Sequence, residues 1–187
     1  MRTAIWPRIR QTLGRGPNIT PPRSARISPH FTRTEFDCAD GTQYPEDWIV
    51  ERLTPLCDAL EVIRGELTTA TGRACRVTIT SGYRSPEYNA RVGGVKRSLH
   101  VSGYAADLVV YPSGEWTPIA AARVATIISQ LMLAGRLPQS GLGYYETFTH
   151  YDVRGLCLAS PGRHYRSQRF GPAKPRGPTG GRRKGVT

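Results

Sequence analysis

Between Ser81 and Asp107 the chain reads SGYRSPEYNARVGGVKRSLHVSGYAAD, which sets Arg84, His100 and Asp107 among glycines and short polar residues. His100 and Asp107 are metal-ligating types seven positions apart, with Gly103 between them where the backbone can turn tightly. A second cluster, THYDVRG from Thr149 to Gly155, places His150 and Asp152 two apart. A catalytic zinc takes three protein ligands from nitrogen, oxygen or sulfur donors and keeps a further position open. His100, Asp107 and His150 meet that inventory, one pair local and the third returning from a distant segment. Two neutral imidazoles and one carboxylate leave such a site net positive, so one Zn2+ ion could activate water and polarise a carbonyl.

Other residues fall into place around this set. Arg84 follows a strand-like run and offers a fixed positive fork for a substrate carboxylate or a developing oxyanion. If FTHYDV is extended, Glu146, Phe148, His150 and Asp152 share one face, because side chains alternate along a strand. That places a carboxylate on each side of His150, as general base or as an acceptor orienting the imidazole. Asp152 is favoured over Glu146 for the catalytic or supporting role. Ser98 and Tyr83 are candidate substrate contacts, with packing the simpler reading of Tyr83. His30 reads as a surface or structural residue.

These side chains need elements to position them. Ile49, Leu53, Leu56, Leu60, Ile63 and Leu67 recur at helical spacing. Pro55 interrupts the pattern, which predicts a short helix and then a longer one capped by Thr54. Phe31 and Phe36 anchor the preceding segment, where Thr34 can cap a short turn. RVTIT, 76–80, alternates as a strand. Further expectations are a helical turn over 86–90, a strand over 105–111, a helix over 119–133 begun by Thr117 and Pro118, and two short strands in GLGYY and FTHYDV. The order implies an α+β fold with helices on a small central, largely antiparallel sheet.

Charge divides the chain. Residues 1–33 carry seven Arg and no acid, and residues 162–187 carry eight Lys or Arg and no acid, so the excess of the net +12 lies at the two ends. The expected organisation is a basic, disordered arm over 1–26, a domain over 27–161 and a basic, disordered tail over 162–187. Such arms suit an anionic wall, a membrane surface or nucleic acid. No apolar run follows the basic start, so no secretory signal is expected, and no stretch approaches the roughly 18 apolar residues of a membrane span. Cys38, Cys57, Cys75 and Cys157 show no CxxC pairing and are expected as free thiols.

The run SGYRSPEYN, then GG, SLHVSGYAADL and GLGYYETFTHYDVRG, resembles the zinc peptidases that cut peptidoglycan peptides: D-Ala-D-Ala carboxypeptidases, murein endopeptidases and phage endolysins. ISPHFTRTEFDCADG is similar to the segment that opens the domain in one branch of them. The resemblance spans roughly Ile27 to Gly155. It implies His100, Asp107 and His150 as zinc ligands, Arg84 as the substrate-binding arginine, and the small α+β fold of the hedgehog/DD-peptidase type. Many members place the catalytic acid three residues before the last histidine, where this chain has Thr147; the chain resembles instead the branch ending in a His-x-Asp motif, which supports Asp152. The implied protein is a monomeric cell-wall hydrolase, cytoplasmic until release or carried on a virion. Two other classes stay open: a non-catalytic module that keeps the zinc fold, and a nucleic-acid or capsid-associated protein acting through its basic arms.

Overall fold

The computed structural model describes residues 26–154. The arm over 1–25, the tail over 162–187 and Cys157 lie outside the described residues. Arg26, assigned above to the arm, forms an isolated bridge with Thr32.

A short 3-10 turn at Arg33–Phe36 opens the described chain. Thr32 caps it in place of the expected Thr34, its backbone N–H and hydroxyl both donating to the Glu35 carboxylate at 2.6 and 2.9 Å. A second turn, Glu46–Trp48, leads into a π-helical turn, Ile49–Leu53, which runs directly into helix α1, Thr54–Thr71. Thr54 is therefore not a free-standing cap. Its hydroxyl donates back to the Ile49 carbonyl at 3.0 Å. The wider turn ends just before Pro55, the residue with no N–H to offer the preceding carbonyls. Leu56, Leu60, Ile63 and Leu67 are fully buried along α1, each stabilising the core by about 1.5–3 kcal/mol. Gly72 closes the helix in the left-handed conformation, φ 66°.

Strand β1, Cys75–Ser81, leads to the short helix α2, Pro86–Arg91, which Ser85 caps by accepting from Tyr88 N–H. Strand β2 spans Ala105–Pro112, helix α3 Ala121–Leu133, and strands β3 and β4 Gly141–Tyr144 and Thr149–Asp152. Helix α3 begins two residues later than the Thr-Pro signal suggests, because Ile119 N–H is tied to the Val110 carbonyl at the end of β2. The four strands form one antiparallel sheet in the order β1-β2-β4-β3. The α+β expectation holds. One face, with Val77, Leu108, Val110 and Tyr151, packs with Phe31, Phe36, α1 and α3 into a single core.

The opposite face carries the polar residues. Register sets Ser81 against Asp107, Asp107 against His150, and His150 against Gly143, a row crossing all four strands. Ser81 joins it through a bulge between Ile79 and Ser81. Without the extra residue Ser81 would follow Ile79 onto the core side.

Candidate metal centre

Asp107 and His150 come to the site from paired central strands, so sheet register alone brings them face to face. His100 arrives on a tight turn between α2 and β2. Gly103 adopts φ 72° there and donates to the His100 carbonyl at 3.1 Å, reversing the chain into β2. The turn is clamped from the helical side. Tyr44 Oη donates to the Gly103 carbonyl at 2.6 Å, and Arg52 Nη1 to the Ser102 carbonyl at 2.9 Å. Arg52 also lies over the Trp48 ring, 3.7 Å from its centroid.

The three residues converge. His100 Nε2, Asp107 Oδ1 and His150 Nδ1 lie within 4.8 Å of one another, at pairwise separations of 3.2, 3.1 and 2.9 Å. The remaining ring nitrogens decide whether this set suits a cation. His100 Nδ1 donates to the Gly82 carbonyl at 2.7 Å; a carbonyl only accepts, so the proton is on Nδ1 and the Nε2 lone pair faces the cluster. His150 Nε2 faces Asp152 Oδ2 at 3.3 Å, which leaves Nδ1 for the cluster. Both imidazoles are thus oriented as metal-ligating histidines are, by an acceptor on the far nitrogen. Two nitrogens and one carboxylate oxygen are a donor set that zinc takes, and the residues fit it.

Electrostatics agree with the geometry. Burial opposes the charge on Asp107, but hydrogen bonds from His100 and His150 outweigh it and hold the carboxyl well below the usual range. Burial also opposes charge on His150, yet its bonds to Asp107 and Asp152 push its pKa up to about 9 without a metal.

Arg84 stands at the mouth of this arrangement. Its Nη2 donates to Asp107 Oδ2 at 2.6 Å and its Nε to Ser81 Oγ at 2.8 Å, so the bulge that turns Ser81 also fixes the guanidinium. The Arg84 side chain keeps 18% exposure, and its Nη1 makes no hydrogen bond among the described residues.

The other expected residues are placed as follows. Asp152 is fully buried and lies beyond the His150 ring, on the Nε2 side. Glu146 does not share a strand face with His150. Tyr145 N–H bonds to the Phe148 carbonyl, and this closure leaves Glu146 and Thr147 as the exposed turn between β3 and β4. Ser98 is buried at the start of the His100 turn, where its carbonyl accepts from Val101. Tyr83 packs edge-on against Tyr44 and Trp48, ring centroids 6.0 and 5.9 Å away. His30 is exposed and pairs with Glu61 at 2.8 Å. Cys38, Cys57 and Cys75 are buried free thiols.

Three parts of the site had no expectation from sequence: the Gly82 carbonyl, Ser81 and Arg154. Arg154 grips Asp152 with Nε on Oδ1 at 2.7 Å and Nη2 on Oδ2 at 2.5 Å. Strand β4 ends at Asp152 and Arg154 lies past it, so alternation gave no signal for this residue.

A family model described as Peptidase M15 matches residues 29–152, about two thirds of the chain and nearly all of the described domain. No curated protein and no solved structure matches. No helix among the described residues is long and apolar enough to cross a membrane.

Proposed function

Because the chain belongs to the peptidase M15 family, we propose that it is a zinc-dependent hydrolase of an amide bond in the peptide part of peptidoglycan. The observation that carries the proposal is the convergence of His100, Asp107 and His150, with the outer ring nitrogens held by Gly82 and Asp152. These three residues would hold the ion, which when bound supplies a Lewis acid that activates water and polarises the scissile carbonyl.

The chain's own residues supply the rest. Arg84 is fixed at one edge by Asp107 and Ser81, and its Nη1 is directed to a substrate carboxylate or to the oxyanion that develops on attack. Ser98 and Tyr83 border the same turn, and by their burial they shape it more than they bind. Asp152 acts through His150, keeping Nδ1 turned inward. Its place beyond the imidazole, with both oxygens in hydrogen bonds, suits support better than direct proton uptake. Direct proton transfer is assigned instead to Glu146, the other carboxylate of the same hairpin, exposed on its turn and in no ion pair among the described residues.

The basic ends are assigned to holding the enzyme near an anionic wall, and release during phage lysis or carriage on a virion is the setting proposed for it. The protein is proposed to act as a monomer.

Purified protein should release peptides or D-amino acids from cell walls. Chelation should abolish the release, zinc should restore it, and His100→Ala should be inert. Mass spectrometry of products from defined muropeptides identifies the bond. Robust cleavage by rigorously metal-free protein would sink the proposal. Removal of residues 1–25 and 162–187 should leave cleavage of a soluble muropeptide intact while weakening attachment to whole walls.

A further inference from the structure

We infer that Arg154 is a positioning residue of the metal centre: it locks the Asp152 carboxylate, which in turn locks the tautomer and rotation of His150. This rests on the metal-binding reading above and extends it to residues outside the ligand set.

The argument begins with two loose torsions. The terminal torsions of Asp and His are broad and roughly two-fold, so neither side chain fixes its own plane. A half-turn of the His150 ring would put Cδ2–H in place of Nδ1 at the cluster and Cε1–H in place of Nε2 beside Asp152. What prevents it is an acceptor at a fixed place beyond the ring, and Asp152 Oδ2 is that acceptor, 3.3 Å from Nε2. Asp152 is itself fixed by an unusual density of donors. Oδ1 accepts from Arg154 Nε at 2.7 Å, from the Arg154 backbone N–H at 3.2 Å and from Gly141 N–H at 3.0 Å, while Oδ2 accepts from Arg154 Nη2. Arg154 meets both oxygens with its planar fork, which sets the carboxylate plane as a single point charge could not.

The fold reserves room for this pair. Gly141 lies opposite Asp152 in the β3–β4 register. A Cβ there would sit 2.6 Å from the Asp152 carboxylate carbon and would overlap both Asp152 Oδ2 and Arg154 Nη2. Glycine at 141 thus leaves space for the ion pair on the ligand-bearing face of the sheet. The guanidinium also balances the buried carboxylate. Asp152 has no exposed surface, and its two oxygens are met by Arg154, the Gly141 N–H and His150. An anion so balanced can accept from His150 Nε2–H without being left as an unpaired buried charge.

The test is zinc affinity, measured on the full chain by competition with a chromogenic chelator, with cobalt substitution as a spectroscopic reading of ligand geometry. Arg154→Met should lose about 10- to 100-fold in zinc affinity, the range seen when partners of metal ligands are removed. Its cobalt absorption bands should shift, while the metal-free variant still melts cooperatively. Arg154→Lys, which keeps the charge and lacks the fork, should recover only part of the loss; it also stands in for the methionine variant if that one does not fold. Since Arg154 acts through Asp152, the double variant Asp152→Asn/Arg154→Met should bind zinc no more weakly than Asp152→Asn alone. A folded Arg154 variant with wild-type zinc affinity and cobalt spectrum overturns the inference and leaves the proposed function standing. Failure of the wild-type chain to bind zinc overturns the metal centre itself.

Discussion

Metal binding at this centre should displace a proton from His150, and stability should reveal it as a function of pH. In the metal-free protein both ring nitrogens face carboxylates, Nδ1 at 2.9 Å from Asp107 and Nε2 at 3.3 Å from Asp152. Burial of the ring opposes the charge, but these bonds outweigh it and raise the pKa from 6.5 to about 9. The group is charged in the folded state and neutral in the unfolded state between those two values. Its stabilisation is therefore complete below pH 6.5 and is lost as pH rises toward 9. With one extra proton on the folded protein, the loss is about 1.4 kcal/mol per pH unit, or roughly 3 kcal/mol across the window. For a chain of this length that lowers the melting temperature by about 6–12 °C. The zinc-loaded protein needs a neutral imidazole and should show no such fall, so the stabilisation by zinc should widen from pH 6.5 to 9. Calorimetric titration with zinc in buffers of different ionisation enthalpy should find about one proton released from this ring near pH 7 and none well above 9. Thermal melts of metal-free wild type and His150→Gln, taken in half-unit steps, provide the comparison. A wild-type curve that is flat across the window, or no steeper than the variant, refutes the reasoning.

Three further outcomes follow from single contacts. Tyr44→Phe removes the hydroxyl that donates to the buried Gly103 carbonyl, and should cost about 1–3 kcal/mol in denaturant titrations while loosening zinc. Gly82→Ala would bring a Cβ to 2.5–2.9 Å of the Phe36 backbone. Backbone cannot give way as a flexible side chain can, so the variant should lose about 1–3 kcal/mol and its His100–carbonyl contact, read as a lower melting temperature and weaker zinc binding. Leu60→Ala, in the middle of α1 and fully buried, should cost about 2–5 kcal/mol with zinc affinity unchanged in the folded fraction, because it opens a cavity on the side of the sheet away from the ligands.

How far the sequence carries the site depends on whether a feature is local. The convergence of His100, Asp107 and His150 was readable because they sit in two short clusters of metal-binding types, and the fold class because α1, β1 and β2 carry strong periodicity. Helix starts were less readable. Thr54 and the Thr117–Pro118 pair both look like caps, yet each helix takes its start from a distant or irregular constraint: the π turn ahead of Pro55, and the bond from Ile119 to Val110. The bulge that moves Ser81 beside Asp107 has no composition of its own, being a property of pairing between strands some 25 residues apart.

The returning hairpin shows the same division within a few residues. Alternation correctly groups His150 with Asp152 and stops there, because β4 ends at Asp152 and Arg154 lies past the strand. Carried backward it would include Glu146, but there the rule fails, because alternation holds only while the chain stays extended. The bond from Tyr145 N–H to the Phe148 carbonyl ends the extension and turns Glu146 out to solvent. The two acids near His150 therefore stand in opposite circumstances. Asp152 is sealed behind the ring by Arg154 and Gly141, whereas Glu146 is exposed on a turn. That difference separates holding a ligand from exchanging protons, and it is measurable: Asp152→Asn should act mainly on zinc affinity, and Glu146→Gln on kcat with zinc retained. A Glu146→Gln enzyme of undiminished kcat would remove that residue from the proposed chemistry.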